Sequence, residues 1–184
     1  MANQPLKINF GCGNFKLKGY LNVDYSAHCN PDQIMDMQVF PWPFDDNSAS
    51  DIIMSHVLEH VGQDIAVFEK IIQELYRISA PDCQITIAVP DPYHDNFWGD
   101  PTHCRPITPQ LLNLLSRGFL KEYQQSAISP IAVMWGVDFA IEKVNSNVDP
   151  AFATWAKQRN ITLSMDELRY YRNAILDHKI VMRA

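Results

Sequence analysis

The short gap between two strand-like segments near the start of the chain limits the folds open to it. Residues 6–11, LKINFG, form an apolar run that ends on glycine, and residues 20–26, YLNVDYS, form a second run that contains an acid near its end. Only the eight residues CGNFKLKG separate the two runs. A parallel crossover normally needs about a dozen residues, because it contains a helix. We therefore expect this first crossover to be a loop or a single turn.

The next part of the chain predicts a parallel sheet covered by helices. Residues 50–58, SDIIMSHVL, begin as a strand, and residues 84–91, QITIAVPD, form a β-branched strand after a turn at 80–83. Between them, apolar residues recur at intervals of three and four, which indicates a helix facing a sheet. This stripe consists of Ile65, Phe68, Ile71, Ile72, Leu75 and Ile78. The order strand, helix, strand with apolar strands is typical of an α/β fold.

The second half predicts a long loop followed by further helices and strands. Residues 90–109 contain five prolines and are too polar for a tight connection, which is typical of a binding loop or lid. Thr108 and Pro109 have the residue types that begin a helix. A capping box is expected at Ser164 and Glu167. The predicted elements are helices at 108–119, 149–160 and 164–177, and strands at 136–147 and 178–184.

Composition narrows the class of function. The chain has 184 residues and a formal net charge of −6, which suits one domain and argues against broad binding of nucleic acid, since such binding depends on basic surface. The four cysteines show no zinc-knuckle spacing. No secretory signal and no apolar run of about 18 residues is visible, so we expect a cytoplasmic protein without a membrane partner.

The residues at the ends of the predicted strands are candidates for ligand binding. In an open parallel sheet the ligand lies outside the carboxyl ends of the strands. The glycines of Gly11-Cys12-Gly13 would let a ligand approach the backbone closely. Asp24 could accept hydrogen bonds from both hydroxyls of a ribose. Asp36 could accept one from the exocyclic amine of adenine, with Met37 against the ring.

Four segments together resemble the class I S-adenosylmethionine-dependent methyltransferases. They are NFGCGN, GYLNVDYS, DMQVFPWPFDDNSASDIIMSHVLEHV and QELYRISAPDCQITIAVPD. The likeness covers about residues 6–115 and is strongest to a small subgroup whose glycine loop leads straight into the second strand. It implies a Rossmann-like sheet of seven strands with helices on both faces, a last strand that is antiparallel, and a first crossover helix that is missing or very short. The third glycine of the family's loop is absent, because Phe15 stands in its place.

The resemblance also implies a role for each strand-end residue. S-adenosylmethionine would be the cofactor, with its ribose on Asp24 and its adenine at Asp36 and Met37. The methionine part of the cofactor would be lined by Phe10, Gly11, Cys12 and Gly13. The edge of the cofactor would be lined by Ser55 and His56. The short crossover also favours this cofactor over a dinucleotide, because a pyrophosphate binds at a helix N-terminus after the glycine loop, whereas S-adenosylmethionine has no phosphate.

The string HVLEH, residues 56–60, allows three interpretations. His-x-x-Glu-His is a zinc-protease signature when both histidines share one helix. We favour polar contacts at the start of a short helix and assign no metal ligands. The third interpretation follows from the resemblance, since some class I methyltransferases hold a divalent metal with a related E-x-x-E-H string.

The predicted activity is methyl transfer to a small-molecule or sugar acceptor, with oxygen as the favoured nucleophile. Residues 1–184 would form a single domain, with a cofactor-binding half at 6–91, an acceptor-covering loop and helix at 92–135, and a C-terminal strand-helix-strand at 136–184. The candidates for a general base are His60, Asp91 and His103. Two alternatives stay open: a cofactor-binding domain that has lost transferase activity, and a divalent-metal-dependent enzyme that uses HVLEH.

Overall fold

A seven-stranded mixed sheet forms the centre of the protein. In this computed structural model, which describes residues 5–122 and 128–184, the strand order is β3-β2-β1-β4-β5-β7-β6. The first five strands pair in parallel, and β7 runs antiparallel to both β5 and β6. The strands are β1 Leu6–Phe10, β2 Leu21–Asp24, β3 Gln33–Ile34, β4 Ala49–Ser55, β5 Ser79–Pro90, β6 Ala140–Val148 and β7 Ile175–Arg183.

Helices pack around this sheet, and only one of the described helices is a long crossover. Helix α1 connects β4 to β5 and buries the apolar stripe that its sequence predicts. The described helices are α1 Ile65–Ile78, α2 Asp95–Gly99, α3 Pro109–Asn113, α4 Arg117–Glu122, α5 Ile131–Trp135, α6 Pro150–Gln158 and α7 Met165–Leu168. None of the helices in the described ranges has the length and apolarity needed to cross a lipid bilayer.

One face of the sheet carries the hydrophobic core. Alternate residues of neighbouring strands pair in register, as Phe10 does with Met54 and Met54 with Ile87, so their side chains share one face. These side chains are fully buried against α1 and against Trp42, whose ring lies 5.1 Å from that of Phe10. A smaller cluster forms where β6 and β7 meet α6 and α7, around Leu168, Ala174 and Ile175.

Several predicted boundaries differ from the structure. The helix expected over 108–119 is divided into α3 and α4, although Thr108 caps it and Pro109 begins it as predicted. The capping box of Ser164 and Glu167 is confirmed, but the helix expected over 164–177 is wrong, because α7 ends at Leu168. Asn173 then adopts φ +58°, and the chain turns into β7, since Ala174 and Ile175 pack with Leu168 in the smaller cluster. Residues 80–83, predicted as a turn, are an irregular part of β5. Residues 123–127 of the expected acceptor-covering segment lie outside the described residues.

The first crossover contains no helix, as its length predicts. Residues 11–20 are all described and form turns and loop. The buried side chain of Asn22 holds them: its Oδ1 accepts hydrogen bonds from Asn9 Nδ2 at 3.0 Å and from Leu17 N at 2.8 Å. Its Nδ2 donates to Tyr20 O at 3.1 Å and to Asp32 Oδ2 at 2.8 Å. A single amide therefore fixes both ends of the crossover and the turn before β3.

We expect Asn22→Leu to lower the free energy of unfolding by about 1–3 kcal/mol, because it removes the acceptor of the Leu17 N–H and one of the two acceptors of the buried Asn9 amide, which keeps the Phe15 carbonyl. Urea denaturation measures this loss. Asn145→Leu, a change at an exposed position of β6, is the control and should stay within about 0.5 kcal/mol of the parent protein. Equal losses in the two variants would contradict the role of Asn22.

An ion pair on α1 anchors the Pro-Trp-Pro segment, residues 41–43. Glu74 accepts hydrogen bonds from Trp42 N at 2.6 Å and from two nitrogens of Arg77, each at 2.8 Å. Arg77 also donates to the carbonyls of Phe44 at 2.8 Å and Trp42 at 3.1 Å. These hydrogen bonds, led by those from Arg77, lower the pKa of Glu74.

This lowered pKa predicts a specific pH dependence. Because the folded-state pKa of Glu74 lies below its unfolded value, its contribution to stability is present above the unfolded pKa and is lost as pH falls through the folded one. Glu74→Gln should therefore cost about 1–2 kcal/mol at pH 7, and the difference from the parent should shrink below about pH 4.5. Urea denaturation from pH 7 to pH 3 tests this, with exposed Glu122→Gln as the control. A constant difference across that range would refute the assignment.

Candidate functional site

A cavity of about 530 Å³ opens at the carboxyl ends of β1, β2 and β4. The end of each of these strands contributes to its wall, together with residues 35–38, the HVLEH turn and Thr102. Its lining residues are Gly11, Val23, Asp24, Tyr25, Met35, Asp36, Met37, Gln38, His56, Val57, His60, Val61 and Thr102. Its size lies within the range of sites that hold a small molecule or cofactor.

The glycine loop and Asp24 form one end of the cavity. Gly11 has φ +60°, a left-handed conformation that favours glycine. Asp24 is buried, and its Oδ2 accepts a hydrogen bond from Gly13 N at 2.8 Å while its Oδ1 accepts one from Ser26 N at 2.9 Å. The carboxylate is therefore held from both sides by backbone donors, and each oxygen keeps acceptor capacity for a ligand.

The segment 35–38 forms a second wall. Met35 N donates to Asp24 O at 2.9 Å, and Trp42 Nε1 donates to Met37 O at 3.0 Å. Asp36 Oδ1 accepts from Gln38 N at 2.9 Å, which fixes the turn. An apolar side chain, that of Met37, thus lies beside a carboxylate at the cavity wall.

The string SHVLEH adopts three conformations in six residues. Ser55 ends β4, and His56 follows it with φ +54°, its N–H donating to Ala88 O at 2.8 Å. Leu58–His60 then form a 3-10 turn. The two histidines therefore do not lie on one α-helix, which removes the geometric basis of the zinc-protease interpretation.

The side chain of Glu59 is buried completely, and its carboxylate lacks hydrogen bonds among the described residues. Its side chain has 0% exposure, and neither carboxylate oxygen has a hydrogen-bond partner among the described residues. His56 Nδ1 lies 3.3 Å from Oε1, within ion-pair distance. The nearby carboxylate raises the pKa of His56, while partial burial opposes this shift.

Two further histidines meet beside Glu59. The rings of His60 and His103 lie 4.6 Å apart, edge to face. The loop that carries His103 is fixed to the turn, because Cys104 N donates to Glu59 O at 2.8 Å. His60 Nδ1 contacts Thr102 Oγ1 at 2.8 Å, and His103 Nδ1 contacts Phe97 O at 2.7 Å.

The predicted site residues fall into two groups. Those at the cavity are Gly11, Asp24, Asp36, Met37, His56 and His60. Those that do not line it are Phe10, Cys12, Gly13, Ser55, Asp91 and His103. Phe10 is a core residue against Trp42, and Gly13 acts through its N–H to Asp24. Cys12 is buried beneath the loop, and burial raises the pKa of its thiol.

Asp91, a candidate base, belongs to a separate buried network. Its Oδ2 contacts His178 Nε2 at 2.8 Å, and its Oδ1 accepts from Tyr93 N at 2.7 Å. His178 Nδ1 in turn contacts Ser146 Oγ at 2.8 Å. This network ties β5 to β7 and β6.

Solved structures share this architecture. A SAM-dependent methyltransferase from Archaeoglobus fulgidus superposes with a TM-score of 0.65 at 17% identity, over 99% of this chain and 87% of that one. SAM-dependent methyltransferases from Methanosarcina mazei and Mesorhizobium loti superpose with TM-scores of 0.53 and 0.51 at 13% and 14% identity. They cover 100% and 97% of this chain, and 93% and 90% of their own. The chain has the class I methyltransferase fold. No protein-family model matches the sequence, and no curated protein matches it.

The methyltransferase fold brings residues to the cavity that the sequence patterns did not indicate. Tyr25 follows Asp24 directly, and Val57 lies within HVLEH, so the motifs themselves pointed near both. No sequence motif pointed to Thr102. It reaches the cavity only because the loop at 100–105 folds back onto Glu59, a contact across more than forty residues.

Two glycines of the loop provide a matched test of this geometry. A β-carbon on Gly11 would lie 2.4 Å from Val57 Cγ2, whereas one on Gly13 would meet nothing within 4 Å. Both have positive φ, so alanine at either position carries conformational strain of about 1 kcal/mol. We expect Gly11→Ala to lower the free energy of unfolding by a further 1–3 kcal/mol or so, because of overpacking. The double variant Gly11→Ala, Val57→Ala should regain most of the additional 1–3 kcal/mol or so, because the smaller side chain removes the clash. Equal losses in Gly11→Ala and Gly13→Ala would contradict the close approach of Gly11 and Val57.

Proposed function

We propose that the protein is an S-adenosylmethionine-dependent methyltransferase that acts on a small-molecule or sugar acceptor. The observation that carries this proposal is the position of Asp24, a buried carboxylate held by backbone donors at the end of β2 and on the cavity wall. Its remaining acceptor capacity suits the two hydroxyls of a ribose. Asp36 and Met37 on the adjacent wall suit the amine and the ring face of adenine.

The helix-free crossover supports this cofactor over a dinucleotide. A pyrophosphate is bound by the N-terminus of a helix that follows the glycine loop. Residues 11–20 form turns and loop, so this donor set is not built here. A sulfonium cofactor has no phosphate and does not need it.

In methyl transfer the main task of the protein is to align the acceptor with the sulfonium methyl group. The acceptor attacks the sulfonium methyl in line, and holding the two groups together supplies most of the rate. Oxygen is the proposed nucleophile, and a hydroxyl acceptor must lose a proton as it attacks. Of the three candidate bases, His60 is the one that lines the cavity, so we assign it this contact. The net charge of −6 favours a small acceptor over nucleic acid.

Calorimetric titration of the folded protein with S-adenosylmethionine and S-adenosylhomocysteine tests the proposal. We expect both to bind, and Asp24→Asn to weaken binding at least tenfold, because the amide loses acceptor capacity and presents a donor to Gly13 or Ser26. Asp45→Asn, at an exposed position outside the cavity, is the matched control and should bind as the parent does. Absence of binding to a folded sample, or equal affinity in Asp24→Asn, would refute the cofactor site.

A further inference from the structure

The HVLEH turn and the loop at 100–105 together bring three potential metal ligands to one place beside the cavity. Glu59, His60 and His103 place one ligand atom each within 4.8 Å of one another. They are brought together by the backbone hydrogen bond from Cys104 to Glu59. We propose that this cluster binds one divalent transition-metal ion, such as Zn²⁺ or Mn²⁺.

The buried carboxylate is the first reason. Burying a carboxylate without hydrogen bonds is costly, and such groups in proteins are paired or coordinate a metal. Glu59 has 0% side-chain exposure, and among the described residues both of its oxygens lack a hydrogen-bond donor. His56 Nδ1 lies 3.3 Å from Oε1, within ion-pair distance, but half of that imidazole is exposed to solvent. A cation between Glu59 and its neighbours would satisfy the carboxylate.

The tautomers of the two histidines are the second reason. The Phe97 carbonyl can only accept, so His103 Nδ1 donates to it, and in the neutral imidazole Nε2 then keeps its lone pair. Thr102 Oγ1 donates to Asp100 Oδ1 at 2.6 Å, so it accepts from His60 Nδ1–H, and in the neutral ring the lone pair is then on His60 Nε2 as well. Metal-binding histidines usually donate their second ring N–H to a carboxylate, a backbone carbonyl or water, and His103 donates to a backbone carbonyl in this way.

The donor set selects the kind of ion. Two imidazole nitrogens and one carboxylate suit zinc, manganese, iron or cobalt, whereas magnesium and calcium prefer oxygen ligands alone. Three protein ligands leave coordination positions open for water or a ligand oxygen. His60 and Thr102 line the cavity, so the open positions lie at its edge. An ion bound by His60 Nε2 would prevent that nitrogen from acting as a base. The acceptor oxygen would then contact the ion instead of the imidazole.

Metal binding can be measured without any cofactor or acceptor, so its result is separate from that for methyl transfer. Chelator-treated protein is titrated with Co²⁺ and followed by visible absorption, and with Zn²⁺ by calorimetry. We expect one ion per chain and ligand-field bands of cobalt bound to nitrogen and oxygen. Saturating Zn²⁺ should raise Tm by roughly 5–10 °C, and Mg²⁺ should not.

Variants separate a ligand role from a structural one. His103→Gln and Glu59→Gln should abolish the cobalt bands, and Thr102→Val should weaken binding by about 10- to 100-fold, because it removes the hydroxyl that orients His60. His28→Gln, a histidine outside the cluster, is the matched control and should bind as the parent does. Metal-free Glu59→Gln should have an unchanged or higher Tm, since it removes a buried carboxylate that lacks hydrogen bonds among the described residues, and should lose the Tm increase with Zn²⁺.

Two results would overturn the proposal. One is the absence of cobalt bands and of a Zn²⁺-dependent rise in Tm in the parent protein at millimolar ion. The other is binding that survives both Glu59→Gln and His103→Gln while circular dichroism shows that these variants are folded.

Discussion

The buried amide of Asn22 is the contact on which the rest of the site depends. A crossover of eight residues cannot include a helix, so its backbone groups need other partners. Asn22 supplies them, and with Asn9 it fixes the loop that leads from β1 to β2. Because Asp24 lies two residues further along β2, the same amide sets the position of the carboxylate at the cavity. The crossover also removes the helix N-terminus on which a pyrophosphate would bind.

Contacts between distant segments complete the cavity. The Glu74 and Arg77 side chains of α1 hold the segment from Trp42 to Phe44, and Trp42 in turn holds the carbonyl of Met37. On the opposite side, the Cys104 N–H fixes the 100–105 loop to Glu59. The cavity walls therefore come from loops and turns together with Val23 and Asp24 at the end of β2, and the loops are held in place by a helix and by the carboxyl ends of strands.

The sequence predicted the parallel strands and α1 from their apolar patterns, whereas the seven-stranded sheet with an antiparallel last strand followed from the resemblance to class I methyltransferases. The sequence also predicted the residues at the strand ends, since parallel strands bring those ends to one edge. It failed for residues 164–177, where the capping box correctly began a helix but the packing of Ala174 and Ile175 ended it after one turn. It also treated Glu59 as a polar residue at a helix start, although the structure buries it. Burial of that kind depends on a loop that returns from more than forty residues away, which no local pattern encodes.

The central claim is that the cavity holds S-adenosylmethionine with its ribose on Asp24. A crystal structure of the protein with S-adenosylhomocysteine tests this most directly. The account predicts both ribose hydroxyls within hydrogen-bond distance of the Asp24 carboxylate and the adenine against Met37. A well-ordered crystal grown with saturating ligand whose ribose lies elsewhere, or whose cavity contains only solvent, would contradict it.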